Sequence, residues 1–477
     1  MLESFWIIDG LARESLLFAG VGLFLGGIDD LLVDLVFIVR RIRHGARPRL
    51  TLATLPPPRC IGAIAVFVAA WDEVSVIGGM LSTALDRYRH DDYRIYVGVY
   101  PNDRGTIDAV AAIAEHDARV RIVIGPRDGP TTKADCLNTV WHALGRDDAR
   151  EHRHTKAIVL HDAEDVVHPQ ELRVFDCLID RYDVVQLPVL PLVHHGARLV
   201  SGHYADEFAE SHAKQIVVRT ALGAGMPLAG TGCAIAPDML ARIAFARGGN
   251  PFDATSLTED YELGLRLAEL GARCIFARVA ADDVGAVVAV RAYFPGTIRE
   301  SVRQKTRWMN GIALAGWDRT GWARPRAFAD HWMRMRDRRA PLAVVILAVA
   351  YVGMLAWALS MAAHHFAGQA TPALDRSHPI ALWLFIANAV LLAWRLGSRM
   401  VFTGRSYGVG EAFWALPRFI VGNCVSLLVA PCAVARYIAM LRGAAPVWDK
   451  TRHEFPDAPA ASISACHGFG PSVPAPG

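Results

Sequence analysis

The chain reads as an α/β protein: a mostly parallel sheet flanked by helices, with transmembrane-length apolar helices on both sides of it. Three observations lead there. Short β-branched runs alternate with helix-length stretches between residues 61 and 162, and apolar segments of helix length lie before and after this alternation. The 477 residues are 53% hydrophobic and only 20% charged, with a mean hydropathy of +0.24. That is too apolar for an ordinary soluble chain and suits a soluble domain joined to membrane segments.

The first element is the apolar stretch Ser15 to Val39, broken by Asp29, Asp30 and Asp34 and followed by Arg40, Arg41, Arg43, Arg47 and Arg49. Acids (Glu3, Asp9, Glu14) precede it, whereas a cleavable signal would carry positive charge there, so residues 1–50 read as a retained anchor with a basic flank. The arginines place the domain after them in the cytoplasm. Aspartates in hydrocarbon are costly and should face protein, a cavity or water, although an amphipathic interfacial helix also tolerates them.

Residues 51–59, with TLPPPR at the centre, form a stiff linker, and the α/β domain spans 60–335. Its strands are IGAIAVFVA (61–69), YRIYVGVY (93–100), VRIVIG (120–125) and KAIVLHD (156–162), spaced as βαβ units. In such open sheets ligands gather at the carboxyl ends of strands.

The membrane region spans 340–442. The basic run MRMRDRR (333–339) precedes apolar stretches at 341–363 and 380–394, joined by a weakly charged outer loop; Arg395, Arg399 and Arg405 bring the chain back inside. Between Gly410 and Leu441, the residues Glu411, Arg418, Asn423, Pro417 and Pro431 interrupt the apolar pattern. A single crossing would also put Arg436, Arg442, Lys450 and Arg452 outside. An interfacial or re-entrant segment, or two broken helices, is expected, with the C-terminus inside. The tail 443–477 is rich in Pro, Ala, Ser and Gly after Phe455 and should be disordered there.

A net charge of +3 gives no basis for nucleic-acid binding. The eight cysteines show no C-x-x-C spacing, so buried reduced thiols are expected rather than zinc or disulfides.

Chemistry concentrates at strand ends. KAIVLHD delivers Asp162, Glu164 and Asp165, an oxygen-ligand set suited to Mg²⁺ or Mn²⁺ shared with substrate phosphates. A solvated acidic loop would look the same. Thr258-Glu259-Asp260 opens a helix that Thr258 can cap. Gln304, Arg307 and Trp308 share a helix face, where a guanidinium fork and an aromatic plate suit a diphosphate and a sugar ring; a membrane-interface anchor is the competing reading. Asp103 follows one strand, and Lys133 opens a helix through Lys-Ala-Asp-Cys-Leu-Asn138.

Taken in order, Asp103, Lys133-x-x-x-Leu-Asn, Asp162-Ala-Glu, Thr-Glu-Asp260 and Gln304-x-x-Arg307-Trp308, between membrane helices, resemble the membrane-bound family 2 glycosyltransferases, the cellulose, hyaluronan and chitin synthase group. The stretches 162–169, Gly230-Thr-Gly-Cys233 and Trp448–Pro456 are similar to the phage adsorption protein B glycosyltransferases of bacterial inner membranes.

The resemblance implies a GT-A fold and a set of roles. Asp103 would contact the base and Lys133 the base or diphosphate. Asp162 and Glu164, with Asp165 sharing, would hold the metal. Asp260 would be the catalytic base, Gln304 and Arg307 would bind the donor, and Glu259 and Trp308 would face the acceptor. The implied enzyme is an inverting, metal-dependent hexosyltransferase, multi-pass in the inner membrane with its catalytic domain in the cytoplasm. It would extend an envelope or exopolysaccharide chain from a nucleotide-sugar donor onto a saccharide or lipid-linked acceptor, with an outer-membrane export partner. Single-sugar transfer to a lipid phosphate, or a non-catalytic role in an envelope or phage-entry complex, are the alternatives.

Overall fold

The computed structural model describes residues 2–45, 50–281, 286–369, 379–444 and 453–456. The expected disorder after Phe455 concerns residues outside this set, apart from Pro456, as do Arg47, Arg49, and Trp448 to Arg452.

The central sheet has seven strands: β1 Ala63–Ala69, β2 Tyr93–Val99, β3 Val120–Ile124, β4 Thr155–His161, β5 Val184–Gln186, β6 Cys233–Ile235 and β7 Cys274–Phe276. Their spatial order is β3-β2-β1-β4-β6-β5-β7. Only β6 runs antiparallel to its neighbours; every other pairing in this sheet is parallel. Phe67 of β1 is the register partner of Tyr96 in β2 and Leu160 in β4.

All of β1 is buried, as befits a strand covered on both faces. Its period of two divides it between two cores: Ile64, Val66 and Val68 pack in one, and Ala65, Phe67 and Ala69 in the other. The first four strands match the sequence runs to within two residues. The last three have three residues each, too short for any readable period.

The helices that matter for the site are α1 Leu2–His44, α2 Lys133–Glu151, α3 Val200–Glu210, α4 Glu259–Glu269, α5 Ile298–Met309, α6 Phe328–Arg338, α7 Ala340–Phe366, α8 Pro379–Tyr407 and α9 Val409–Leu441. Thr132 caps α2 by accepting the Asp135 N–H at 3.2 Å, and Thr297 caps α5 by accepting that of Glu300 at 3.3 Å. The expected cap at Thr258 does not form: its hydroxyl has no hydrogen-bond partner and is buried.

Among the described residues, four helices are long and apolar enough to cross a membrane: α1 from Ile7, α7, α8 from Ala381, and α9. The aspartates of α1 face protein. Asp29 accepts from Trp332 (2.6 Å) and Arg339 (2.6 Å), Asp30 accepts from Arg336 (2.8 Å), and Asp34 accepts from Trp394 (2.7 Å).

The stretch expected to be interfacial, re-entrant or two broken helices is one continuous helix, α9, through Pro417 and Pro431. Packing holds it together: fully buried Arg418 donates to the Arg198 carbonyl at 2.9 Å and to Asp206 at 3.2 Å. Near the other end, Asn310 donates to the Met440 sulfur at 3.4 Å, and Tyr437 donates to Asp318. Both ends of α9 therefore rest on the sheet domain.

No disulfide forms among the described residues. Cys136, Cys177 and Cys233 are buried as expected, but Cys60, Cys424 and Cys432 are exposed, the latter two on α9.

Candidate active site

Strand β4 is buried from Ala157 through His161 and releases Asp162 into a cavity of about 720 Å³. Lys133, in the first turn of α2, reaches into the same space. Its ammonium donates to Asp162 and to the Gly230 carbonyl (3.3 Å), and lies 4.0 Å from Glu259. Burial alone would favour a neutral amine, but Asp162, Glu259 and Asp260 outweigh it and hold Lys133 charged.

Glu259 and Asp260 open α4. Burial, with the Asp260 charge beside it, pushes Glu259 up to about 7 against the pull of Lys133. Burial likewise pushes the Asp260 carboxyl up against the pull of Lys133. Gly230 has φ +76°, and a Cβ there would stand 2.5 Å from an Asp260 oxygen, so only glycine lets this loop approach.

Gln304, Arg307 and Trp308 line the same cavity. Trp308 stands within an aromatic group: its ring centroid is 6.0 Å from Tyr204 and 6.3 Å from both Phe208 and Phe294. Gln304 Oε1, Arg307 Nε and the Thr258 hydroxyl are buried without partners. Three unpaired polar atoms from cavity-lining residues are what a polar ligand would satisfy.

Two participants carry no role in the sequence reading. Glu73 follows β1, and His453 comes from the far end of the chain. His453 Nδ1 lies 2.9 Å from Glu73 and 3.2 Å from Glu164. One ligand atom from each of the three falls within 4.8 Å of the others. Burial pushes Glu164 up to about 8 against the pull of His453. His453 itself is held up at about 9, its burial outweighed by Glu164 and Glu73. Crowded carboxylates with one ring nitrogen fit a hard divalent cation, and Glu164, Asp162, Glu73 and His453 could supply its ligands. The signal for His453 was its place in the Trp448–Pro456 motif; Glu73 had none beyond a strand end.

Two of the expected site residues are held by other groups of the protein. Asp165 lines the cavity but is only 1% exposed, and its Oδ2 accepts from His161 (2.8 Å), the Asp162 N–H (2.9 Å) and Thr231. Asp103 is not among the cavity residues: its carboxylate caps the helix Arg104–Ala114 and accepts the Asp72 N–H, so its oxygens serve the backbone.

A mostly parallel sheet with a helix-flanked acidic cleft, joined to membrane-length helices, defines a membrane-associated GT-A protein. The chain belongs to the glycosyltransferase-like family 2, whose profile matches residues 58–311. It is 32% identical to bacteriophage adsorption protein B of Escherichia coli K12 and to bacteriophage N4 adsorption protein B of Escherichia coli O157:H7, over 94% of this chain. The chain spans 64% of the length of these curated relatives. Among solved structures, the mannosyltransferase PcManGT of Pyrobaculum calidifontis, in complex with GDP-Man and Mn²⁺, shares the fold: TM-score 0.51, 17% identity, 87% of this chain and 98% of that one.

Proposed function

We propose that this protein is an inverting glycosyltransferase of the bacterial inner membrane that moves a sugar from a nucleotide-diphosphate donor onto a growing envelope or exopolysaccharide chain. The observation that carries the reading is one cavity lined by Asp162, Glu164, Lys133, Asp260, Gln304, Arg307 and Trp308.

In this reading Lys133 and Arg307 bind the donor diphosphate, and Arg307 donates N–H groups to it as it leaves. Asp260 accepts the proton of the acceptor hydroxyl as that oxygen attacks the anomeric carbon from the opposite side, which inverts its configuration. Trp308 stacks on the acceptor ring and Glu259 orients it. Mg²⁺ or Mn²⁺, bound by Asp162 and Glu164 with Glu73 and His453 close by, would neutralise the leaving diphosphate.

Residues 60–335 form the catalytic unit in the cytoplasm, and the two ends of α9 on that unit support an interfacial course for this helix. A second reading, transfer to a lipid-borne phosphate, has one observation in its favour: the cavity runs on to Arg336, Arg339 and Arg395 beside the start of α7. Protein in lipid nanodiscs, screened with nucleotide-sugars with and without Mn²⁺, should release nucleotide from one donor only when metal is present. Release from none of them would overturn the proposal.

A further inference from the structure

We infer that His161, Asp165 and Thr231 form a buried positioning brace that aligns the Asp162 loop with the glycine loop behind Asp260; this rests on the catalytic reading above. His161 ends β4 and is fully buried, with Nδ1 2.8 Å from Asp165 Oδ2 and Nε2 2.8 Å from Glu171 Oε1. Glu171 is also fully buried and accepts from the Tyr88 hydroxyl (2.8 Å) and the His168 N–H (3.1 Å). The ring is thus clamped between two carboxylates that are themselves fixed.

Asp165 carries the connection outward in two directions. The same Oδ2 accepts the Asp162 N–H at 2.9 Å and the Thr231 hydroxyl. Thr231 lies between Gly230 and Gly232, whose φ values of +76° and +58° make the tight loop that touches Asp260 and offers its carbonyl to Lys133. One carboxylate oxygen therefore joins the loop that presents Asp162 to the loop that backs Asp260 and Lys133. Two buried carboxylates without a cation between them would be costly, which gives the chain a reason to place histidine where an apolar strand residue would otherwise serve.

The brace predicts a separation of effects. Thr231→Val, nearly isosteric, should leave thermal unfolding and donor KM within about threefold of wild type while kcat falls about tenfold or more, since small misplacements of reacting groups are expensive. Thr231→Ser, which restores the hydroxyl, should recover most of that loss. His161→Gln should weaken Mn²⁺ binding, read by electron paramagnetic resonance without turnover, by about 10- to 100-fold. Combining Thr231→Val with Asp165→Asn should cost no more than the worse single change. Full kcat in Thr231→Val would overturn the brace. So would loss of Mn²⁺ in Asp165→Asn with normal Mn²⁺ affinity in His161→Gln, because Asp165 would then be a metal ligand. A wild-type protein that binds Mn²⁺ but turns over no donor would instead count against the catalytic reading, and the Mn²⁺ titrations would still judge the brace.

Discussion

The ammonium of Lys133 is shared between Asp162, at the end of β4, and the approach to Glu259, 4.0 Å away at the start of α4. That contact joins the half of the site built by the parallel strands to the half built by the helices, and it makes the roles of the acids separable.

Asp162→Asn should weaken divalent-dependent donor binding as well as turnover. Asp260→Asn should keep metal and donor affinity near normal while kcat drops by about two to four orders of magnitude, as for a lost general base. Calorimetric titration of Mn²⁺ and a nucleoside diphosphate, beside turnover, checks both. Equal loss of binding in the two variants would show that Asp260 is not the base.

His453→Ala should lower Mn²⁺ affinity by about tenfold or more if the ring joins Glu164 and Glu73 around the cation. Chelation of the wild type should abolish turnover and re-addition of Mn²⁺ should restore it. Unchanged Mn²⁺ affinity in His453→Ala would remove this residue from the metal set.

Trp308→Ala should cut transfer while donor binding stays near normal, because its face belongs to the aromatic wall formed with Tyr204, Phe208 and Phe294. Arg307→Lys should also be impaired, since an ammonium cannot reproduce the planar fork. Full transfer in both variants would reduce this helix to a structural element.

The contribution of His212 to stability should fall on mild acidification. His212 is buried, its Nδ1 accepts the Val189 N–H at 2.8 Å, and burial together with Arg278 pushes its pKa down to about 3. The unfolded ring titrates near 6.5. Its contribution is therefore complete above that value and is lost as pH falls from about 6.5 toward about 3, where only the unfolded chain gains a proton. His212→Asn, which keeps an acceptor, should lose less melting temperature between pH 7 and 5 than wild type. Identical slopes in the two proteins would contradict this.

The course of α9 can be read directly. A reporter active only in the periplasm should be silent when fused after Gly443 and active when fused after Gly368. Activity at both sites would mean that α9 crosses the membrane despite its two contacts with the sheet domain.

Much of this was legible in the sequence. The β-branched runs at 61–162 give the parallel half of the sheet because strands buried on both faces must be apolar throughout. The apolar lengths give the membrane helices, and the order of Lys133, Asp162, Asp260 and Arg307 gives the family and the charged residues at the centre of the cavity. Tertiary structure decided the rest. Three-residue strands have no period to read. The fate of Asp165 and Asp103 depended on which neighbour claims each oxygen, and a carboxylate bonded to backbone or imidazole reads in sequence like one free to hold a cation. Glu73 meets His453 only because the chain, after its last long helix, comes back to the ends of β1 and β4. Local pattern determines which elements form, because propensity and burial act over a few residues; which distant side chains share a site is set by packing between elements far apart in the chain.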